Sequence, residues 1–290
     1  MPAPDSSYEQ GSHPHLEISP ARLHAQAGGS GLPAIELAMG ERMIVVGSPE
    51  LRAFRLVSQE KIMQARRLHA QAYAGRGYVT PEGINEEGTL IESIDPLEVV
   101  RASTYIGTVE DGGLVTGCIR MIEPSGDDLF SLPTMAKIAS VYGREASLFS
   151  SLPFTDQSKV FEGSALGRVS DADDPTIMSR LLLAMRSEAA ERGFGYCVVG
   201  LVDSTARLIR MAYGGRAFRR IGDENAIITL NGQGLRQPDG VKLEAYYVEV
   251  DTFIDDCLEY FGNPPKGAFA RTNKAIFEVD RRFAQSMRSA

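Results

Sequence analysis

The chain has 290 residues, 43% of them hydrophobic and 8% aromatic, which is enough for a sizeable core and excludes a disordered chain. A net charge of −8 argues against a broad nucleic-acid-binding surface. No window reaches the run of about 18 apolar residues that a membrane span needs, and no basic stretch followed by an apolar one opens the chain, so a cytoplasmic protein without membrane contact is expected.

Residues 1–32 are rich in Pro, Ser, Gly, Ala and His without any period, and are expected to form a flexible tail. Met43 to Val46 and Ala53 to Val57 are short strand candidates. Between Lys61 and Ala74 the residues Ile62, Ala65, His69 and Ala72 recur at helical spacing, until Gly75 and Gly77 end the pattern. Residues 78–98 form an acidic loop of the kind that covers sites rather than cores. The runs 104–109 and 114–122 flank Glu110-Asp-Gly-Gly, a hairpin signal in which glycine supplies the positive φ of the turn. After an irregular stretch with a short helix near Thr134 to Val141, a strand covers 159–169.

Asp174-Pro175 then marks a helix start, and Met178, Leu181, Leu182, Met185 and Ala189 mark one face of that helix until Gly193. Tyr196 to Val202 is continuously apolar, as in a strand covered on both faces. A short helix follows over Ala206 to Ala212, closed by Gly214-Gly215. Strands are expected at 226–230 and 243–250, a helix at 251–261, and a partly helical tail. The organisation expected is a tail (1–32), a catalytic-type domain (33–250) and a C-terminal helical extension (251–290). The three cysteines, Cys118, Cys197 and Cys257, are far apart and form no Cys-x-x-Cys pair, so neither a disulfide framework nor a metal site is expected.

Between Arg207 and Arg220 lie five arginines and no acid. Either they form a solvated helix face, or they receive a phosphate, a carrier-protein surface or the acceptor arm of a tRNA. Glu162 is a lone acid in an apolar strand, where burial would raise its pKa toward the range useful for a general base. Simple alternation puts Val160, Glu162, Ser164 and Leu166 on one face and Phe161, Gly163 and Ala165 on the other. The alternative for Glu162 is a rim glutamate paired with an arginine.

From about Ser58 to Val250 the order of these elements resembles the GNAT superfamily of N-acyltransferases. More narrowly, it resembles the branch of acyl-homoserine-lactone synthases and N-acyl amino acid synthases. The resemblance is carried by the arginine-containing helix, by the hairpin Tyr105-Ile-Gly-Thr-Val-Glu-Asp-Gly-Gly-Leu-Val-Thr-Gly-Cys-Ile-Arg120-Met, and by Glu162-Gly-Ser-Ala-Leu-Gly-Arg-Val169. It is carried also by Ala206-Arg-Leu-Ile-Arg-Met-Ala-Tyr-Gly-Gly. It implies an α/β (α+β) fold with a mixed, mostly antiparallel central sheet, a splayed strand pair and flanking helices. The implied function is transfer of an acyl group to the amine of a small metabolite. The donor would be a thioester of phosphopantetheine or CoA acting as co-substrate, with no tightly bound cofactor.

By that resemblance Glu162 is the general base and Tyr213 donates a proton to the leaving thiolate. Leu166, Gly167, Arg168 and Val169 lie along the donor arm, and Gly163 and Gly167 let the arm approach closely. Thr176 at a helix start, with Arg216 and Arg219, meets the donor's phosphate portion. Arg66, Arg67, Tyr105, Arg120 and Ser164 contact the acceptor. Two departures matter. Ala165 stands where the branch has arginine and its aromatic-rich recognition of S-adenosylmethionine is absent, which counts against lactone synthesis; and the pyrophosphate loop usual after the strand is replaced by Ser170-Asp-Ala-Asp-Asp-Pro175, whose acids would repel CoA. A donor on an acyl-carrier protein, or an aminoacyl-tRNA, is thereby favoured over free CoA. A non-catalytic relative that binds a metabolite or a carrier protein is the remaining alternative.

Overall fold

The computed structural model describes residues 34–36, 42–110, 113–169, 174–223, 226–236, 240–262 and 267–289; the expected tail over 1–32 lies outside them. In chain order the elements are β1 (Ala34–Glu36), β2 (Arg42–Val45), β3 (Ala53–Leu56), α1 (Gln59–Gly75), α2 (Leu97–Arg101), β4 (Ser103–Val109) and β5 (Val115–Ile122). There follow α3 (Pro133–Tyr142), α4 (Ser147–Ser150), β6 (Val160–Arg168), α5 (Ile177–Glu191), β7 (Tyr196–Val202) and α6 (Asp203–Tyr213). The chain ends with β8 (Arg219–Arg220), β9 (Ile227–Leu230), β10 (Val241–Glu249), α7 (Phe253–Phe261) and α8 (Gly267–Arg288).

The strands form one sheet in the order β1-β2-β3-β4-β5-β6-β7-β10-β8, with β9 also paired to β10. Every pairing is antiparallel except β6 with β7, which run parallel over Val160↔Tyr196, Phe161↔Cys197 and Glu162↔Val198. Beyond Glu162 the two strands part. β6 stays with β5 as far as Arg168, and β7 stays with β10 as far as Val202. The sheet is therefore open along its middle from Gly163 onward.

Local sequence accounts for the elements beside that opening. The Ser58 hydroxyl accepts from the Lys61 N–H and starts α1. Helix α5 ends where Gly193 takes φ +74°, a conformation that costs other residues and suits glycine. Helix α5 buries Leu181, Leu182, Leu183, Ala184 and Ala189 against the sheet, and α1 covers the opposite face with Ala65 and Leu68.

A bulge changes the facing of β6. Arg120 pairs with Ser164 and Cys118 with Gly167, so two residues of β6 oppose the single Ile119 of β5. Ala165 takes φ +54° at this point. The extra residue interrupts strict alternation, and Leu166 joins the core on the α5 side with Phe161 instead of the face of Glu162.

The C-terminal helices complete the main core. Phe253, Phe261 and Phe277 share one apolar cluster with α5 and with Tyr213 of α6. Asp280 of α8 is fully buried beside the Ser48 N–H, which donates to it at 3.4 Å, and its second oxygen has no hydrogen-bond partner among the described residues. Burial pushes its carboxyl up to about 6, against the opposing Ser48 N–H and the Arg186 charge. The folded protein thus holds the Asp280 proton more tightly than the unfolded chain does. Stability from this residue is greatest near pH 4 and falls as pH rises through about 6, by roughly 2–3 kcal/mol in all. Asp280→Asn removes the titration. Its melting temperature relative to wild type should climb between pH 4 and pH 7, whereas a constant difference would mean that the carboxyl titrates normally.

Candidate active site

The gap between β6 and β7 opens on a mainly apolar cavity of about 130 Å³. Its walls come from β6 (Phe161, Gly163, Ser164, Leu166), β7 (Cys197, Val199, Leu201), α5 (Met178, Leu182, Met185, Arg186) and the end of β10. At one end Arg76 and Tyr78, just after α1, meet Thr205 of α6. The Tyr78 hydroxyl lies 3.2 Å from Ser204 Oγ and 3.3 Å from Thr205 Oγ1, and the Arg76 guanidinium donates to Thr205 Oγ1 at 3.1 Å. This strap joins α1 to α6 across the opening. Burial acts to raise the Tyr78 phenol, but the Ser204 and Thr205 hydroxyls and the Arg76 charge outweigh it, leaving it below its ordinary value.

Glu162 occupies the last paired position before the strands part. It is 4% exposed, and its two oxygens accept from the Thr134 N–H (2.7 Å) and hydroxyl (2.8 Å) at the start of α3. Burial raises its pKa to about 7, partly offset by the two Thr134 bonds and by the Arg120 charge. The carboxyl therefore caps a helix N-terminus as well as sitting beside the gap. It does not itself line the cavity, but Ser164 does, two residues further on the same strand. So does Gly200, where an added Cβ would lie 2.7 Å from Thr134 Oγ1. Thr134 is a partner that sequence reasoning missed, because its contact with Glu162 joins elements 28 residues apart.

On the α1 side of β5 and β6 lies a polar recess. Arg120 is buried and bonds Asp95 (2.6 Å), Ser164 Oγ (2.9 Å) and the Tyr105 hydroxyl (3.5 Å). Asp95 outweighs the effect of burial and keeps Arg120 charged. Asp95 also ties the 78–98 connection to the sheet. Arg66 and His69 face the same recess, each with a buried ring or guanidinium nitrogen that has no hydrogen-bond partner among the described residues (Arg66 Nε and His69 Nε2). Burial, with the charges of Arg120 and Arg66, lowers the His69 pKa to about 3, so the ring is neutral. The ring packs edge-on against Tyr73, its centroid 4.3 Å away, and Tyr73 lines the cavity. The helical spacing of Arg66, His69 and Tyr73 was the available signal for this cluster.

Arg66, Tyr105, Arg120 and Ser164 are thus brought together. Arg67 stands apart, exposed and donating to the Glu87 carbonyl at 2.8 Å. Of the four residues expected along a donor arm, Leu166 alone lines the cavity. Gly167 faces α1, where an added Cβ would lie 3.3 Å from Ala72 Cβ, so this glycine admits a helix rather than a ligand. Arg168 is exposed, and Val169 packs with the α1-side core. The Thr176 N–H already donates to Asp174 at 2.8 Å, which places an acid where an incoming phosphate was expected. The expected acids Asp171 and Asp173 lie outside the described residues.

The basic segment also differs from expectation. Arg216 pairs with Asp256 (2.9 Å) and Glu259 (2.6 Å), Arg219 with Glu249 (3.2 Å), and Arg220 with Glu244 (3.3 Å). Three of its five arginines are thus neutralised by β10 and α7, and the segment is not the unbalanced patch that a tRNA arm would need. Among the described residues no group of three or more acidic, histidine or cysteine side chains could hold a metal ion. No helix of these residues is long and apolar enough to cross a membrane.

Tyr213 lies in an aromatic cluster with Phe218, Phe261, Phe269 and Phe277, outside the cavity lining. Its hydroxyl lies 2.9 Å from Ser179 Oγ, which in turn donates to Asn273, so α6, α5 and α8 are joined. Burial pushes the phenol up to about 12. Tyr213→Phe should therefore lower stability by about 1 kcal/mol and leave turnover within a few-fold. A large loss of kcat with an unchanged melting temperature would return Tyr213 to the chemistry.

No family model and no curated protein matches this sequence. Solved structures similar to it include FeeM, an N-acyl amino acid synthase from uncultured soil microbes. That similarity has 17% identity and a TM-score of 0.49, and covers 71% of this chain and 94% of that one. BjaI, a CoA-dependent acyl-homoserine lactone synthase solved with SAM and isopentyl-CoA, is similar at 15% identity over 75% and 92% of the two chains, with a TM-score of 0.46. A GNAT-family acetyltransferase from Staphylococcus aureus Mu50 is similar at 9% identity over 68% and 98%, with a TM-score of 0.41.

Proposed function

We propose that the protein is an N-acyltransferase that moves an aliphatic acyl group from a phosphopantetheine thioester to the amine of a small acceptor. The observation that carries this reading is the parting of β6 and β7 onto an apolar cavity, with a carboxyl of pKa about 7 at the last paired position. An extended thioester arm can lie in such a gap and bond to the unpaired strand edges, and the cavity takes the acyl chain.

In the reaction the acceptor nitrogen attacks the thioester carbonyl. The C–N bond forms, the C–S bond breaks, and the nitrogen gives up a proton. Glu162 takes that proton, its pKa being close to neutral pH, where a base is most effective. The leaving thiolate needs a proton in return. Tyr78 is suited to give it, being a cavity-lining phenol held by Ser204, Thr205 and Arg76. The acceptor enters from the recess of Arg66, His69, Tyr105 and Arg120, across Ser164 and Tyr73. Asp174 at the start of α5, paired with Arg180 at 3.0 Å, already occupies the Thr176 N–H, which disfavours the CoA pyrophosphate and favours an arm borne on an acyl-carrier protein.

Glu162→Gln keeps the shape and can still accept from Thr134, but it takes no proton. It should lower kcat by about 10²–10⁴-fold, abolish the acid limb of the pH–rate profile and leave donor KM near wild type. If Glu162 only caps α3, the variant will instead melt at lower temperature and turn over within a few-fold of wild type. Running the assay with acyl-CoA and acyl-carrier protein side by side tests the donor. Equal kcat/KM for the two would remove the role given to Asp174.

A further inference from the structure

The cavity wall is apolar along almost all of its α5 side. Met178, Leu182 and Met185 follow one another at helical spacing, and Phe218, Val248, Val250 and Phe253 face them. The exception is Arg186, the last cavity residue of the α5 stripe. It is 7% exposed, and its Nε donates to the Val250 carbonyl at 3.1 Å. Its two terminal amino groups make no hydrogen bond, and no carboxylate lies within ion-pair distance of them among the described residues. Asp280, Asp251 and Asp255 act on it only through space. A structural arginine in a core normally has its fork of donors occupied. This one is fixed by a single bond through Nε, and the residue lines the cavity.

The placement along the cavity matters as much as the missing partners. Tyr78 and Thr205 mark one end of the cavity, beside the C-terminus of β7. Arg186 lies at the other, beside Val250, which follows β10 where it pairs with the start of β7. From Met178 to Arg186 the helix rises about 12 Å. An acyl chain entering past Tyr78 and running down the α5 wall therefore meets methionine and leucine along its length and a guanidinium at its tip.

We infer that the acyl group carries a carboxylate at its far end, which Arg186 binds through its terminal amino groups. The donor is then an ω-carboxyacyl thioester, its middle held by apolar contact and its end by a charge-assisted, two-pronged bond. The inference rests on the reading of the cavity as an acyl site, and it adds the chemical class of the acyl group. A plain alkyl chain of equal length would leave the guanidinium desolvated and unpaired, which selects against it. Lysine could supply the charge without the planar fork.

The test uses the full chain and S-acyl-pantetheine probes in matched pairs: hexanoyl with adipoyl, octanoyl with suberoyl, decanoyl with sebacoyl. Binding is measured by calorimetry without acceptor, and transfer is measured separately with an amine panel. One dicarboxylic probe should bind about tenfold or more tightly than its alkyl partner. Arg186→Met should reverse that preference, and Arg186→Lys should restore part of it. A preference for the alkyl chains at every length, or equal binding within each pair, overturns the inference. It needs the wild type alone, so a poorly folded variant does not hide it. If alkyl chains bind and are transferred while dicarboxylic ones are not, the acyltransferase reading stands and the role of Arg186 falls. If no probe of either kind binds, both fall together.

Discussion

Three residue pairs of parallel ladder hold the two halves of this sheet together, and the layout of the rest follows from where that ladder stops. Val160, Phe161 and Glu162 lie against Tyr196, Cys197 and Val198; beyond them each strand has a better partner on its other side. Unpaired strand edges inside a protein cost free energy unless something satisfies them. In this chain the exposed edges face a cavity instead of packed side chains. Helix α5 roofs the gap on one side, α1 and its strap border it on the other, and the C-terminal helices press α5 into place. A longer parallel ladder would give a more stable sheet with no room for a ligand.

Charge is distributed according to the same division. Two of the groups in the sheet beside the gap have fixed partners: Arg120 has Asp95, and Glu162 has the first N–H and hydroxyl of α3. These bonds keep polar side chains in the sheet without flooding it with water, which a single unpaired charge would do. Where partners are lacking, at His69 Nε2, Arg66 Nε and the end of Arg186, the groups adjoin the recess or the cavity.

Much of the fold was legible in the sequence because its elements have local signals. The 3.6-residue period of α1, the apolar run of β7 and the Ser58 and Gly193 boundaries each depend on a few neighbouring residues. Glu162 was legible for the same reason, as an acid among apolar neighbours in a strand. What escaped depends on long-range geometry. Tyr213 and Arg216 were placed at a site by order along the chain, but α7 and α8 fold back there, taking Tyr213 into the core and pairing the exposed Arg216 with Asp256. Tyr78 and Thr205, 127 residues apart, meet only because the strap crosses the opening. Leu166 was assigned to the wrong face because alternation has no means of announcing an extra residue.

That extra residue also makes the length of β6 a coded quantity. With Ala165 in its left-handed conformation, Ser164 addresses the recess while Leu166 addresses the cavity, two environments of opposite polarity reached from nearly the same point. Were the same residues to pleat regularly without the bulge, Leu166 would turn toward the arginine recess, and every later side chain up to Val169 would change face. The facing of the strand thus depends on its residue count and its one bulge taken together, since a residue added or lost without a matching bulge turns every later side chain over. Insertions and deletions accumulating in lineages of this protein are expected to spare the span from Glu162 to Arg168, even where its residue identities drift.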